Sequence, residues 1–477
     1  IAIYFLMEVF LIKALQLILS ISILVVLHEG GHFFFAKVFG IRVHRFSLFF
    51  DFWKGGKKKA LKLGRWGNTD FVIGWLPFGG YVEIAGMVDE SSNADAVAKE
   101  EANIPARELF KNKPAWQRLL VMVGGVLVNF LVALFIYAMP LWVNGEQRIP
   151  LKGITHGMSF NTEAKKLGFQ DGDLITGVDS KTYTYLDHVA MLRDLGDAHT
   201  VHVLRNGKNV DINIDGQFDL LKALKQQPPF VALTLPSIVD SVLAESPAKA
   251  AGLQKGDTII AMNGREVSTW NEIDNLLYPI QDQIAAAEGK PVDAKLLQTT
   301  LVVKHAVQDT AKTIAATADT LRFSLNTEGK MGVTKHNVFT DYPTETIHYS
   351  FIESIPAGIS HGLSVLKGYV SDLRYLFSAD GVKSVGSFGA IGSLFPSAWN
   401  WTAFWNLTAF ISLMLAFMNF LPIPMLDGGY IFITLIEMIT RRRLSDKWIE
   451  RVNTVGFYFV LGLMALGIFN DVVRFIF

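Results

Sequence analysis

Cysteine is missing from all 477 residues. That excludes thiolate nucleophiles, disulfides and sulfur-ligated metal, so any metal here must take nitrogen and oxygen ligands. An excess of charge is missing too. Lys and Arg number 44 and Asp and Glu number 44, so overall charge points to no nucleic acid, and none is expected as a partner. Charge is absent again from Ala14 to Leu27, and no small-residue cleavage site follows this first apolar run. An uncleaved anchor is therefore expected rather than a signal peptide. The stretch MEVFLIKALQ from Met7 reads as a protein start, which sets Ile1–Leu6 ahead of the initiator.

What is abundant is hydrophobic. Half the residues are apolar, which fits a membrane protein with soluble parts, and the length calls for several domains. Four apolar spans stand out, at 10–36, 119–143, 403–426 and 453–476, each long enough for a membrane helix. Basic residues crowd two of the links. Lys37, Arg42, Arg45 and Lys57–Lys59 follow the first span, and Arg441, Arg442, Arg443, Lys447 and Arg451 follow the third. Positive residues stay inside, so both links are expected to be cytoplasmic, with 144–400 and both termini on the opposite side.

The first span ends in His28-Glu29-Gly30-Gly31-His32. Ionisable groups in hydrocarbon are costly and mark function. On a helix His28 and His32 share a face one turn apart, so the pair can hold one zinc ion with Glu29 beside it as general base. The third span ends Asn419-Phe420-Leu421-Pro422-Ile423-Pro424-Met425-Leu426-Asp427-Gly428-Gly429. The prolines should break the helix, and broken helices at membrane depth line cavities or are buried in protein. Both motifs lie at cytoplasmic ends, so Asp427 is expected as the third ligand, leaving the fourth position open.

Between spans one and two, residues 69–87 (TDFVIGWLPFGGYVEIAGM) are rich in β-formers and glycine and read as a hairpin, either one that dips into the membrane or covers the site or an ordinary surface hairpin. The polar run 88–104 reads as a mobile loop. The segment 151–330 holds a repeat: EAKKLGFQDGDLI at 163–175 aligns with PAKAAGLQKGDTI at 247–259, as two copies of one module, 151–225 and 229–330. Within the second, strands are expected at 299–303 and 321–325. Residues 345–378 carry Ile352, Ile355, Ile359, Leu363, Leu366, Val370, Leu373 and Phe377 at helical spacing, an amphipathic helix with Pro356 in its first turn. It is expected either on the membrane surface or packed against the preceding modules. The glycine- and serine-rich link 380–400 carries no assignment.

Taken together these motifs resemble the site-2 protease family, of the bacterial regulator-of-sigma-E type, over nearly the whole chain. HEGGH matches the family's HExxH, NFLPIPMLDGG its NxxPxxxLDG, and LPFGGYVEIAG its membrane-associated hairpin. Gly125-Val126-Leu127-Val128-Asn129 fits GPxxN with Val126 in place of proline, and Gly386-Ser387-Phe388 stands where the family often has Ser-Gly-Pro. The resemblance implies a polytopic α-helical membrane protein: four transmembrane helices (two in 1–143, two in 400–477), a membrane-associated β-hairpin and two tandem PDZ-like α+β domains. It implies an intramembrane zinc metalloprotease of the cell inner membrane, multi-pass, with its active site toward the cytoplasm. Implied substrates are single-span membrane proteins such as anti-sigma factors and remnant signal peptides, cut after another protease has removed their extracytoplasmic part. The PDZ-like pair would act as a size filter.

A peptide bond in a substrate helix must unwind to be cut. Gly79, Gly80 and Tyr81 could hold the unwound chain as an added strand, while Asn419, Pro422 and Pro424 line the same cleft. Asn129 could support the site or serve only as structural glue between helices. The alternative is a non-enzymatic membrane scaffold or transporter that binds peptides through its repeated modules. Glu29 discriminates, because a transport or structural site needs ligands but no base beside them.

Overall fold

A computed structural model describes residues 2–50, 60–87, 104–214, 226–287, 291–305, 318–335, 341–377 and 379–476. The polar run 88–104, up to its last residue, and the end of the first module at 215–225 lie outside the described residues. The chain divides into two units, one of Ile1–Gly145 with His348–Phe477 and one of Glu146–Ile347.

The first unit combines long helices with one four-stranded sheet. Its main helices are α1 (Ala2–Val38), α2 (Ala115–Asn144), α3 (Phe351–Asp372), α4 (Trp401–Phe420), α5 (Asp427–Thr440) and α6 (Asp446–Ile476). Among the described residues four stretches are long and apolar enough to cross a membrane: Met7–Val38, Ala115–Asn144, Trp401–Phe420 and Lys447–Arg474. Their outward residues, including Phe34, Leu131, Phe135, Val455, Tyr458 and Phe469, are large and exposed, as suits a surface that meets lipid. Between helices the contacts turn small and polar. Thr408 Oγ1 donates to Ser20 Oγ at 3.0 Å, and Ser412 Oγ donates to the Asn129 carbonyl at 2.7 Å. Lipid offers no hydrophobic drive between helices, so close packing and such bonds hold them together. At the α1–α2 crossing, a Cβ on Gly124 would come within 2.7 Å of the Gly31 carbonyl oxygen.

The third span is shorter than 403–426, because the helix ends at Phe420 and a new one begins at Asp427. Pro422 and Pro424 supply no N–H to carry it on. Gly428 and Gly429 then fold the connection onto α5, since a Cβ on Gly429 would stand 2.6 Å from the Ile423 carbonyl oxygen.

The stretch 69–87 is not a hairpin. Four strands, β1 (Val43–Phe50), β2 (Leu61–Trp66), β3 (Thr69–Ile73) and β4 (Leu76–Ile84), form a sheet of order β2-β3-β1-β4. β3 runs parallel to β1 and β4 antiparallel to it on the other side. The Gly74–Trp75 connection is bound by β1 itself, Gly74 N–H to the Leu48 carbonyl at 2.7 Å and Trp75 N–H to the Phe50 carbonyl at 3.2 Å. It crosses the end of β1 instead of turning back. Alternation within 69–87 showed two strands but not that an earlier strand separates them.

The amphipathic helix also differs from its expectation. α3 starts at Phe351 behind a Ser350–Glu353 capping box, so Pro356 falls beyond the first turn. The apolar face is the exposed one: Ile352, Ile355, Ile359, Leu363 and Val370 all stand open. The buried face is small, with Ser354, Gly358 and Gly362. A Cβ on Gly358 would lie 2.6 Å from Ala138 Cα of α2, and one on Gly362 2.6 Å from a Leu134 methyl. Tyr369 meets Phe410 and Phe417 of α4 edge-on. The helix therefore leans on two spans through small residues, as membrane helices do.

In Glu146–Ile347 the sequence repeat reappears in three dimensions. One sheet runs 208–213, 200–205, 174–178, 181–182 and the other 318–324, 298–304, 258–262, 265–266, in the same order. Each copy adds a two-stranded pairing, Val231–Leu233 on Met158–Phe160 and Val333–Lys335 on Val239–Val242. Equivalent residues are buried alike: Ala164 with Ala248, Phe169 with Leu253 and Ile175 with Ile259.

Gly358→Leu should cost the membrane unit about 1–3 kcal/mol by overpacking, whereas Ile352→Ala on the exposed face should change little. Thermal unfolding of both variants in detergent checks this, and equal losses would reject the small-face docking.

Candidate metal centre

α1 delivers two imidazoles on one face. His28 Nε2 and His32 Nε2 are 3.3 Å apart. The break after α4 delivers a carboxylate, with Asp427 Oδ2 3.1 Å from His28 Nε2 and 3.4 Å from His32 Nε2. Asp427 lies in the first turn of α5, where the helix dipole favours a negative charge. The backbone ahead of it is strained, since Met425 holds φ at 81°. The side chains are 12%, 7% and 19% exposed for His28, His32 and Asp427.

The rings are oriented from behind. His32 Nδ1 lies 2.8 Å from the Val121 carbonyl of α2, so it carries the proton and leaves the Nε2 lone pair free. His28 Nδ1 lies 3.3 Å from the Asn129 carboxamide. Asn129 Oδ1 is buried without a partner. Turning that amide end for end, with no change of shape, lets Oδ1 accept Nδ1–H of His28 and frees its Nε2 in the same way. Two lone pairs and a carboxylate oxygen then converge on one point. Asp427 Oδ2 is buried and has no hydrogen-bond donor of its own. Such a donor set repels itself unless a cation sits among it. Nitrogen and oxygen ligands of a tetrahedral zinc, each about 2.0–2.1 Å from the ion, stand about 3.3 Å from one another, which the three separations match. The residues fit zinc.

Glycine makes the space. A Cβ on Gly125 would collide with His32 Nε2 and stand 2.7 Å from His28 Cε1. Glu29, next to His28 on α1, adjoins the triangle without joining it, since the converging donor atoms belong to His28, His32 and Asp427. Gly80 lets β4 come close to this helix, because a Cβ there would meet a Val25 methyl of α1 at 2.7 Å.

The residues singled out in the sequence thus divide. His28, His32, Asp427, Asn129 and Asn419 come together, with Asn419 Nδ2 3.4 Å from His28 Nε2. Gly79 and Gly80 lie on β4 beside α1. The Tyr81 ring stacks on Phe50 and its hydroxyl takes Arg45 at 3.5 Å, so its side chain serves the sheet. Pro422 is exposed and Pro424 half-buried, where a Cβ on Gly456 of α6 would touch the Pro424 carbonyl; both shape the turn. Sequence reasoning missed the spacing role of Gly31, Gly124 and Gly125 and the Val121 carbonyl. The signal available was a glycine pair in each of two membrane spans.

His28→Ala should abolish zinc binding, and Asn129→Ala should weaken it by about 10–100-fold, the usual effect of losing a residue that orients a ligand. Zinc content and chelator competition on the purified protein check this. Full zinc retention in His28→Ala would reject the assignment.

The family model described as Peptidase family M50 matches residues 16–463. Among similar curated proteins, a Regulator of sigma-E protease RseP of Salmonella typhimurium is 26% identical over 471 residues, 96% of this chain and 97% of that protein. A Protease RseP of Yersinia pestis is 28% identical over 476 residues, with the same two shares of 96% and 97%. A Vibrio cholerae protein that carries the provisional name zinc metalloprotease is 25% identical over 481 residues, 96% of this chain and 97% of its own.

Proposed function

The chain belongs to peptidase family M50 and is a multi-pass intramembrane zinc metalloprotease, and on that premise we propose that it cuts single-span membrane proteins, with His28, His32 and Asp427 as metal ligands and Glu29 as general base. The observation that carries this reading is the triangle of donor atoms with sides of 3.1, 3.3 and 3.4 Å beside a carboxylate that is not part of it. A transport or structural site has no use for that extra carboxylate.

When bound, zinc supplies Lewis acidity toward the scissile carbonyl and makes water acidic enough to be deprotonated near neutral pH. Glu29 takes one proton from the attacking water as its oxygen bonds to the carbonyl carbon, and passes that proton to the amide nitrogen as the C–N bond breaks. Asn419, 3.4 Å from His28 Nε2, is positioned to hydrogen-bond the substrate's main chain. Among the described residues β4 is the last strand of its sheet, which offers one edge to an added strand. A substrate helix unwound along it would run past α1, which carries Glu29. Gly79 and Gly80 let β4 lie close against β1 and α1, since a Cβ on Gly79 would meet the Phe50 ring and one on Gly80 a Val25 methyl.

The two modules, expected at 151–225 and 229–330 but each closed by a later strand, Val231–Leu233 and Val333–Lys335, are proposed as a PDZ-like size filter on the extracytoplasmic side. This reading is supported by the duplicated sheet order and by a cavity of about 300 Å³ between the copies, lined among others by His188, Ala232, Leu233, Asn271 and Tyr278. Anti-sigma factors and remnant signal peptides are the proposed substrate classes. The bacterial inner membrane, with the metal centre toward the cytoplasm, is the proposed setting.

Glu29→Gln keeps size and hydrogen bonding but removes the base. Turnover of a single-span model substrate in detergent should fall by several orders of magnitude, with zinc content unchanged, since base and metal act as a unit. Equal cleavage by wild type and mutant would falsify the role of Glu29, and no cleavage by either with zinc present would favour a scaffold. Deletion of 151–330 should still permit cleavage of a short substrate and should admit substrates with bulky extracytoplasmic domains. A folded deletion that cuts nothing would reject the filter.

A further inference from the structure

The two copies of the repeat bury one carboxylate at the same place. Asp173 and Asp257 are each 1% exposed. Each accepts a backbone N–H from three residues back, Gln170 at 2.9 Å and Gln254 at 2.8 Å. The cation opposite differs. Arg205 grips Asp173 through Nε and Nη2, both at 2.7 Å. The strand register pairs Leu174 with Leu204 in one copy and Thr258 with Lys304 in the other, so the place of Arg205 is taken by His305. His305 Nδ1 lies 3.1 Å from Asp257 Oδ1, and its Nε2 lies 3.7 Å from Asp319 Oδ2.

We propose that His305 makes the second copy an acid-tightened clamp on the loop 252–257, where the first copy has a permanent one. A guanidinium is charged at every working pH, but an imidazole titrates near neutrality. Among the described residues, the charged groups that face the ring are Asp257 from the loop and Asp319 from the strand Ala318–Ser324. Lys304 precedes it on its own strand, and Lys255 of the loop is drawn to Asp240, 3.5 Å away. When protonated, His305 holds a buried carboxylate by a charge-assisted bond and meets a second carboxylate on its other nitrogen. When neutral, the ring can still donate from one nitrogen, but the bond to Asp257 loses its charge assistance and the contact with Asp319 loses its attraction.

The hydrogen bond to Asp257 raises His305 above its usual value of 6.5. A group whose folded pKa is raised adds stability that is complete below its unfolded pKa, about 6.5, and is lost as pH rises through the raised value. The loop should therefore open more often on the alkaline side. The clamp rests on these contacts alone. Its meaning for substrate admission rests on the orientation proposed above, which would set this unit in a compartment whose pH follows the medium.

Hydrogen exchange of the full-length protein in detergent, corrected for intrinsic rates, tests the clamp without reading protease activity, so its failure leaves the proposed function untouched. Amides of 252–259 should exchange on the order of five- to ten-fold more slowly at pH 5.5 than at pH 8, while those of 168–175 should not change. His305→Arg should make 252–259 slow at both pH values, and Arg205→His should transfer the pH dependence to 168–175. The same pH dependence in His305→Arg, or none in wild type, overturns the proposal. Should His305→Arg not fold, Arg205→His decides alone, and its failure to gain pH dependence overturns the clamp equally.

Discussion

The approach of α1 to α2 without side chains between them sets the rest of the membrane unit. Gly31 faces Gly124 backbone to backbone, and Gly125 leaves the volume that the two imidazoles fill. With the helices so close, carbonyl and amide groups of α2 can reach the far nitrogens of both histidines, Val121 to His32 and Asn129 to His28. A Cβ at any of these glycines would push the helices apart and take the orienting groups out of range. Tight packing and ligand orientation are one constraint here.

The second strand of the site comes from a helix that stops. Pro422 and Pro424 end the run of backbone bonds, and a new helix opens on Asp427. A carboxylate in a first helical turn lies at the positive end of the dipole, so the break both turns the chain inward and supplies a favourable place for charge. Gly428, Gly429 and Gly456 hold the turn against α5 and α6, and the positive φ at Met425 is strain kept by that packing. A further buried pair, Arg118 with Glu437 at 2.6 Å, ties α5 to the start of α2, so the elements carrying the ligands are bound to one another on more than one side.

Burial means different things in the two units. In Glu146–Ile347 the large apolar residues point inward, as in any water-soluble core. In the membrane unit buried clusters around Leu24, Met122, Phe404 and Leu413 coexist with many large apolar residues that point outward, because lipid is as apolar as they are. α3 shows the difference most directly: Ile352, Ile355, Ile359 and Leu363 are on the open face and Ser354, Gly358 and Gly362 on the packed one. In the other unit both copies bury the equivalent aspartate, but its partner is Arg205 in one and His305 in the other, so similar scaffolds answer differently to protons.

Much could be read from the chain alone. Four spans, the HEGGH pair one turn apart, the helix break before Asp427 and the repeat at 163–175 and 247–259 are local patterns, written in hydropathy, helical period and proline. Their physics acts over a turn or a strand, so sequence suffices. What only tertiary structure decided is what faces what. The strands in 69–87 flank β1 because a partner earlier in the chain lies between them, and no alternation records partner choice. The face of α3 that packs depends on whether lipid or protein covers it, which the helical period leaves open. That Asp427 comes within 3.4 Å of both histidines, across nearly four hundred residues, follows from glycine contacts between helices whose pairing is a property of the assembled bundle.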